Sequence, residues 1–311
     1  MPSAITRMVF RGLMRLGLPV RVVDTATGPA GALHADLREH ESLGAGADLV
    51  IHVDPAAGAP DGQGGLQVAL PVTRAPGAEA LAGFDMTWTM TRRQAEVLAG
   101  AGLDAGFLGF DLQDSAPGYA PLPALPDARR RILVLAGRSG PSRDRLVGVL
   151  ARLDASWRET GTRGLCVAVD DPSRPLPGII AAHEALDPVP DLADGAGMWG
   201  PDSLCRLVAA CDGVLSCDDE PAQAWPLTRA MWLGLPVAAP AGLRLADTGE
   251  GAEGGDADAL AGLCAPADAA RHDRAAQLRQ LHSVAAFTDR LDSLLRAVTD
   301  QAAMPVPRAA E

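Results

Sequence analysis

The run Leu133-Val134-Leu135-Ala136-Gly137-Arg138-Ser139-Gly140-Pro141-Ser142-Arg143 reads as a strand, a small-residue loop and a helix start. That local geometry presents backbone N–H groups to a phosphate. Its two arginines, five residues apart, add guanidinium groups suited to bidentate pairing with phosphate oxygens. All 27 basic residues of the chain are arginine, so the same pattern also fits an ordinary strand-to-helix turn in which arginine replaces lysine. Without lysine, neither a Walker A loop nor a Schiff base can form. His52 stands at the C-terminal end of the apolar run Leu49-Val50-Ile51-His52-Val53. Ligands bind there in α/β proteins, and a packed, hydrogen-bonded histidine is the alternative. Asp218-Asp219-Glu220 offers three adjacent carboxylates, which suit either a divalent cation or a solvated loop. His183-Glu184 lacks the second helical histidine of a zinc protease. Trp199, Trp225 and Trp232 read as core in preference to a sugar-stacking surface.

These residues need strands and helices to position them, and the chain supplies both in alternation. Ile5, Met8, Val9, Leu13 and Leu16 lie on one face of a helix that Gly17 stops, and Arg7, Arg11 and Arg15 lie on the opposite face. Strands are predicted at 20–23, 49–53, 67–72, 86–90 and 106–110, with a helix at 32–43. Thr91-Arg92-Arg93-Gln94 has the spacing of a capping box that opens a helix to Gly100. The second half repeats the cycle, with strands at 131–136, 165–169, 213–217 and 236–239 and helices at 143–153, 202–211 and 226–233. A Gly- and acid-rich loop at 246–258 and an amphipathic helix at 284–298 complete it. Strands that alternate with helices at this spacing imply parallel β-α-β packing. Between Asp114 and Asp127 a proline-rich run admits neither helix nor central strand and serves as a linker.

Composition narrows the function classes. A chain of 311 residues accommodates two domains of about 150 residues each. The net charge of −12 is shared, with eight arginines against fourteen acidic residues through Asp127 and nineteen against twenty-five after it, so neither half is a basic nucleic-acid module. The row Arg7, Arg11, Arg15 is the local exception and suits weak contact with an anionic membrane surface or a solvated helix face. Five cysteines without a C-x-x-C pair point away from a disulfide framework and a zinc site, toward a reducing compartment. The first twenty residues have no apolar signal-peptide core, and no segment reaches the roughly 18 apolar residues of a membrane span, so a cytoplasmic location is expected.

The second half resembles family 4 glycosyltransferases of the GT-B class. Gly137-Arg138 with Arg143 is similar to the family's phosphate clamp of Gly-Arg and a later lysine. Gly200-Pro201-Asp202-Ser203-Leu204 and Ala209-Ala210-Cys211-Asp212-Gly213-Val214-Leu215-Ser216 resemble its following helix and strand. Pro226-Leu227-Thr228-Arg229-Ala230-Met231-Trp232-Leu233-Gly234-Leu235-Pro236-Val237 resembles its donor-side helix and the strand after it. These three occur in the family's order and spacing. In the first half the resemblance is carried by Ala47-Asp48-Leu49-Val50-Ile51-His52, by 84–91 and by Gly109-Phe110-Asp111.

The resemblance implies an α/β protein of two Rossmann-like parallel-sheet domains facing a cleft, with no obligatory metal and no cofactor. A UDP- or GDP-sugar would be the donor on the second domain and an unknown acceptor would bind the first. The domains are then 1–113 on the acceptor side, a linker at 114–127, the donor domain at 128–283, and a C-terminal helix and tail at 284–311. By the same resemblance Gly137, Arg138, Arg143, Asp218, Asp219 and Arg229 fall on the donor side, and His52 and Glu220 are the catalytic candidates. Three departures bear on activity. The family begins with a strand and a Gly-rich turn, whereas this chain starts at a helix, so a homo- or hetero-oligomeric partner would complete the first sheet. The family's paired glutamates, eight apart, fall on Pro221 and Arg229. A guanidinium has no acceptor for a ribose diol. The histidine that usually follows the middle strand of the first half is replaced by Pro71-Val72-Thr73-Arg74. A transferase and a catalytically degraded binding or scaffold subunit are the two functions this pattern fits.

Overall fold

A computed structural model describes residues 2–22, 47–53, 55, 65–72, 77–112, 130–135, 140–159, 164–169, 184–188, 207–216, 224–238 and 269–303. The chain divides into two compact units, one of residues 1–114 with 282–311 and the other of residues 115–281.

In the first unit, helix α1 (Pro2–Arg15) buries Ile5, Met8, Val9, Phe10 and Leu13. It ends where Gly17, at φ +74°, lets its own N–H reach the Met14 carbonyl and the Leu18 N–H reach the Leu13 carbonyl, a Schellman turn. Strands β1 (Leu49–Val53), β2 (Leu66–Leu70), β3 (Met86–Thr89) and β4 (Ala105–Phe107) form a parallel sheet in that spatial order. β3 is buried along its whole length and β2 in all but its first residue, whereas β1, at one end of the order, is half-buried throughout. The short helix α2 (Ala78–Leu81) and helix α3 (Arg92–Gly100) place Leu81 and Leu98 against Ala69 and Phe84.

Only one half of the predicted capping box forms. Thr91 Oγ1 accepts from the Gln94 N–H at 3.2 Å, but the Gln94 side-chain amide makes no hydrogen bond. Of the strand expected at 20–23, Val22 alone makes a bridge, and Val23 and the helix expected at 32–43 lie outside the described residues.

In the second unit, β5 (Arg130–Leu135), β6 (Gly164–Val169), β7 (Leu186–Pro188), β8 (Gly213–Ser216) and β9 (Val237–Ala238) form a parallel sheet in the order β7-β6-β5-β8-β9. Pro188 sits in an end strand, where a missing ladder donor is tolerated. Ile132, Leu133, Val134 and Leu135 are buried, as are Leu146, Leu150, Leu153 and Trp157 of helix α4 (Gly140–Glu159). Helix α5 (Ala224–Trp232) leads from β8 toward β9, and helix α6 (Ala269–Leu281) contacts α5. The linker at 114–127, the residues before 207 in the helix expected at 202–211, and the loop at 246–258 lie outside the described residues.

The last helix, α7 (Val284–Ala303), belongs to the first unit and packs on α1. The helices approach closely at Gly12, where a Cβ would lie 2.7 Å from Leu291 and 2.9 Å from Phe287. The segment Leu108–Leu112 is fastened to both helices. Arg15 Nη1 donates to Asp111 Oδ2 at 3.0 Å, and the Asp111 side chain is fully buried. The arginine row of α1 therefore ends in an internal ion pair and is not wholly a solvated face. The Leu112 N–H donates to the His282 carbonyl at 3.1 Å, and Arg290 Nε donates to the Leu108 carbonyl at 2.7 Å.

His282 Nδ1 lies 3.4 Å from both the nitrogen and the carbonyl oxygen of Phe110, so its tautomer decides which it bonds. Burial first, and the Arg290 charge second, lower the His282 pKa from 6.5 to about 4. As pH falls, the unfolded chain takes up this proton before the folded one does. The contribution of His282 is therefore intact above about pH 6.5 and is lost toward pH 4, a change of roughly 3 kcal/mol. Urea denaturation at pH 7 and pH 4.5 should show this loss in the wild type and a flatter dependence in His282→Gln. Parallel pH dependences would assign the acid sensitivity to other groups.

Candidate functional site

The order β7-β6-β5-β8-β9 reverses at β5: the chain runs from β5 to β6 and β7 on one side, then returns to place β8 and β9 on the other. Parallel strands with this reversal open a crevice at their carboxyl ends, because the connections from the two central strands depart to opposite faces. Here the central strands are β5 and β8, paired in register from Ile132↔Gly213 to Leu135↔Ser216. Their last residues are thus neighbours. Gly137 and Arg138 follow Leu135 by two and three positions, and Asp218, Asp219 and Glu220 follow Ser216 by two to four. All five lie outside the described residues, so the structure fixes the strand ends from which they depart. Arg143 belongs to the first turn of α4, which begins at Gly140.

The second-unit core holds this edge in place. Leu133, Leu135 and Val214 are buried, and Asp212 fixes the opposite end by accepting from the Arg131 N–H at 2.7 Å. On the neighbouring side, Asp154 of α4 accepts from the Ala185 N–H at 2.7 Å and pairs with Arg158 at 2.7 Å, tying α4 to the approach of β7. Cys211 offers no nucleophile at neutral pH: burial pushes its thiol up to about 12.

Arg229 lies in α5, a helix whose described side chains are all buried. It is itself 1% exposed, and its guanidinium carbon stands 4.4 Å from the centroid of the Trp232 ring. Arg279 of α6 approaches the same ring at 5.5 Å and donates from Nε to the Trp232 carbonyl at 3.1 Å, capping the end of α5. Trp225 and Trp232 are core residues.

His52 lies in the first unit, apart from the other candidates. Its Nε2 is 2.7 Å from Gln67 Oε1, and its ring meets Phe84 edge-on at 5.4 Å. Gln67 is held in turn, its N–H donating to Asp85 Oδ2 at 2.6 Å and its Nε2 to the Gly65 carbonyl at 3.2 Å. The histidine is therefore packed and hydrogen-bonded on a sheet face. Sequence reasoning missed Arg92 and Arg290, whose guanidinium carbons lie 5.5 and 5.3 Å from the ring centroid of Phe107. No local pattern links residues so far apart along the chain.

No protein-family model and no curated protein matches the chain. Among solved structures it is similar to the E. coli structure described as trehalose-6-phosphate bound with UDP-2-fluoro glucose, at 10% identity and a TM-score of 0.51, covering 79% of this chain and 70% of that one. It is also similar to a UDP-forming alpha,alpha-trehalose-phosphate synthase from Burkholderia xenovorans, at 12% identity and a TM-score of 0.49, covering 75% and 69%. A third is the pneumococcal O-GlcNAc transferase in complex with UDP and GlcNAc, at 15% identity and a TM-score of 0.47, covering 76% and 53%. The chain has the GT-B-like fold of glycosyltransferases, with two Rossmann-like parallel-sheet units. Among the described residues no helix is long and apolar enough to cross a membrane.

The burial of Arg229 sets a test of stability. Arg229→Glu would bury a carboxylate against Trp232 and should cost about 3 kcal/mol or more, whereas Arg229→Met, which keeps the stem, should cost roughly 1–2 kcal/mol. Urea denaturation measures both. A glutamate variant as stable as the wild type would show that this side chain reaches solvent.

Proposed function

We propose that the chain binds a nucleotide-sugar donor on its second unit, at the carboxyl ends of β5 and β8, and transfers the sugar to an acceptor on the first. The observation that carries this reading is the pairing Leu135↔Ser216 at the point where the strand order reverses. It starts the Gly137–Arg143 turn and the acidic tripeptide from adjacent positions, and the GT-B-like fold gives that edge its expected use.

Arg138 and Arg143 would neutralise the diphosphate as charge develops on it, the effect expected to contribute most in such a site. In the transfer the acceptor hydroxyl oxygen bonds to the anomeric carbon. The bond from that carbon to the diphosphate oxygen breaks, and the diphosphate leaves with the electron pair. The hydroxyl proton passes to a base, for which Glu220 is the candidate, since His52 is engaged by Gln67 and packed on Phe84. Asp218 and Asp219 follow the same strand in the sequence.

One observation favours a second reading, a binding or scaffold subunit on the same fold. Arg229, in place of the ribose-binding glutamate of family 4, is packed on Trp232. Fold alone does not choose between the two.

Calorimetric titration with UDP-, GDP- and ADP-sugars, each paired with an assay for released nucleoside diphosphate, separates them. Binding with turnover supports the transferase, and binding without turnover supports the scaffold. The double variant Arg138→Ala, Arg143→Ala should lose about 2–4 kcal/mol of donor affinity. Unchanged affinity would place the diphosphate elsewhere.

A further inference from the structure

We propose that the turn closing α1, residues 14–21, docks on an anionic lipid surface, with Met14 and Leu18 entering the headgroup layer and Arg21 meeting lipid phosphate. The inference is independent of the nucleotide-sugar site, and it moves the membrane contact off the arginine row that the sequence suggests for it.

The apolar part is a patch of two side chains. Met14 and Leu18 are 45% and 40% exposed, whereas the other exposed large hydrophobic side chains among the described residues, Val97 and Val147, stand singly in α3 and α4. Scattered apolar side chains are ordinary on a protein surface, but two within one turn of chain mark a contact. The Schellman turn brings them there, since it returns the Leu18 N–H to the Leu13 carbonyl and the Gly17 N–H to the Met14 carbonyl. In such a turn the residue after the glycine ordinarily packs back on the helix. Leu13 is buried, yet Leu18 stays in solvent. A Cβ on Gly17 would meet no atom within 4 Å, so the turn stands clear of the rest of the protein. Pro19 and Arg21 are exposed beyond it.

Charge selects the surface. The first 23 residues hold four arginines and no acidic residue, in a chain of net charge −12. Arg15 is committed to Asp111, and Arg7 and Arg11 are half-buried, so the cation that this turn offers is Arg21. It is exposed and holds no ion pair among the described residues. Screening limits the contact to charges within about 8 Å of the lipid at physiological salt, so the acidic remainder of the chain opposes it little.

Size separates lipid from protein as the occupant. A stable protein interface takes about 800 Å² from each partner, on the order of 20 residues. One helix end and its turn fall short of that, whereas a lipid surface accepts single apolar side chains beside a cation. The same smallness makes the docking weak and reversible.

The test is sedimentation of the full chain, without donor, with vesicles of phosphatidylcholine alone and of phosphatidylglycerol and phosphatidylcholine in equal parts. Binding should be stronger on the anionic vesicles by about fivefold and should weaken as salt is raised. Met14→Ser and Leu18→Ser should each lower it about tenfold, and Arg21→Gln about fivefold. Val97→Ser, at an exposed apolar position in α3, should leave it within about twofold. The comparison of vesicles and of salt uses the wild type, so it stands even if a variant folds poorly. Absence of binding to the anionic vesicles, equal binding to both kinds, or unchanged binding in Leu18→Ser would overturn the proposal. A dimer seen by sedimentation velocity without lipid, and lost in Leu18→Ser, would assign the patch to a second copy of the chain and overturn it as well.

Discussion

Parallel strands cannot be joined by a hairpin, and most of this molecule follows from that constraint. Each return to a sheet needs a crossover, so every strand points the same way and every carboxyl end lies on one edge. In the second unit the edge gathers the connections from β5 and β8, where the order reverses. In the first unit the order β1-β2-β3-β4 runs in one direction among the described strands. There the edge is elaborated by other means: α3 starts from it, Gly109 turns the chain beside it, and α7 reaches it with Arg290. The two units thus present chemistry at strand ends by different routes.

The legible parts of this fold were those with strong local signals. β5 is an apolar run that buries four successive residues, and β1, β6 and β8 fall within a residue or two of their expected limits. α6 was not legible because among its described side chains only Ala275 and Leu278 are buried, which leaves too little apolar periodicity to read. β7 was hidden by its brevity and by Pro188. Met86 and Trp88 suggested an alternating strand, but Thr87 and Thr89 are buried too, so β3 is enclosed on both faces.

For the candidate sites the limit was distance along the chain. A local motif placed Gly137, Arg138 and Arg143 after a strand, and only the register of β5 with β8 showed that Asp218–Glu220 start from the neighbouring position. Arg15 pairs with an aspartate 96 residues away, which no spacing rule anticipates. Arg229 shows how residue type can mislead. The resemblance sets Arg229 on the donor side, yet here the guanidinium lies over the Trp232 ring and is buried with it.

The closure of the first unit by α7 has a consequence for the order of synthesis. Gly12, near the beginning of the chain, meets Phe287 and Leu291, near its end, and Leu112 is bonded to the His282 carbonyl. A nascent chain that has completed residue 114 holds all four described strands of this unit but not the helix that covers α1. The second unit, residues 115–281, is contiguous and can mature as it emerges, whereas the first must keep its apolar face shielded until the last thirty residues arrive. The domain begun first is therefore the one finished last, and a break anywhere in the second unit would leave the first without its closing helix.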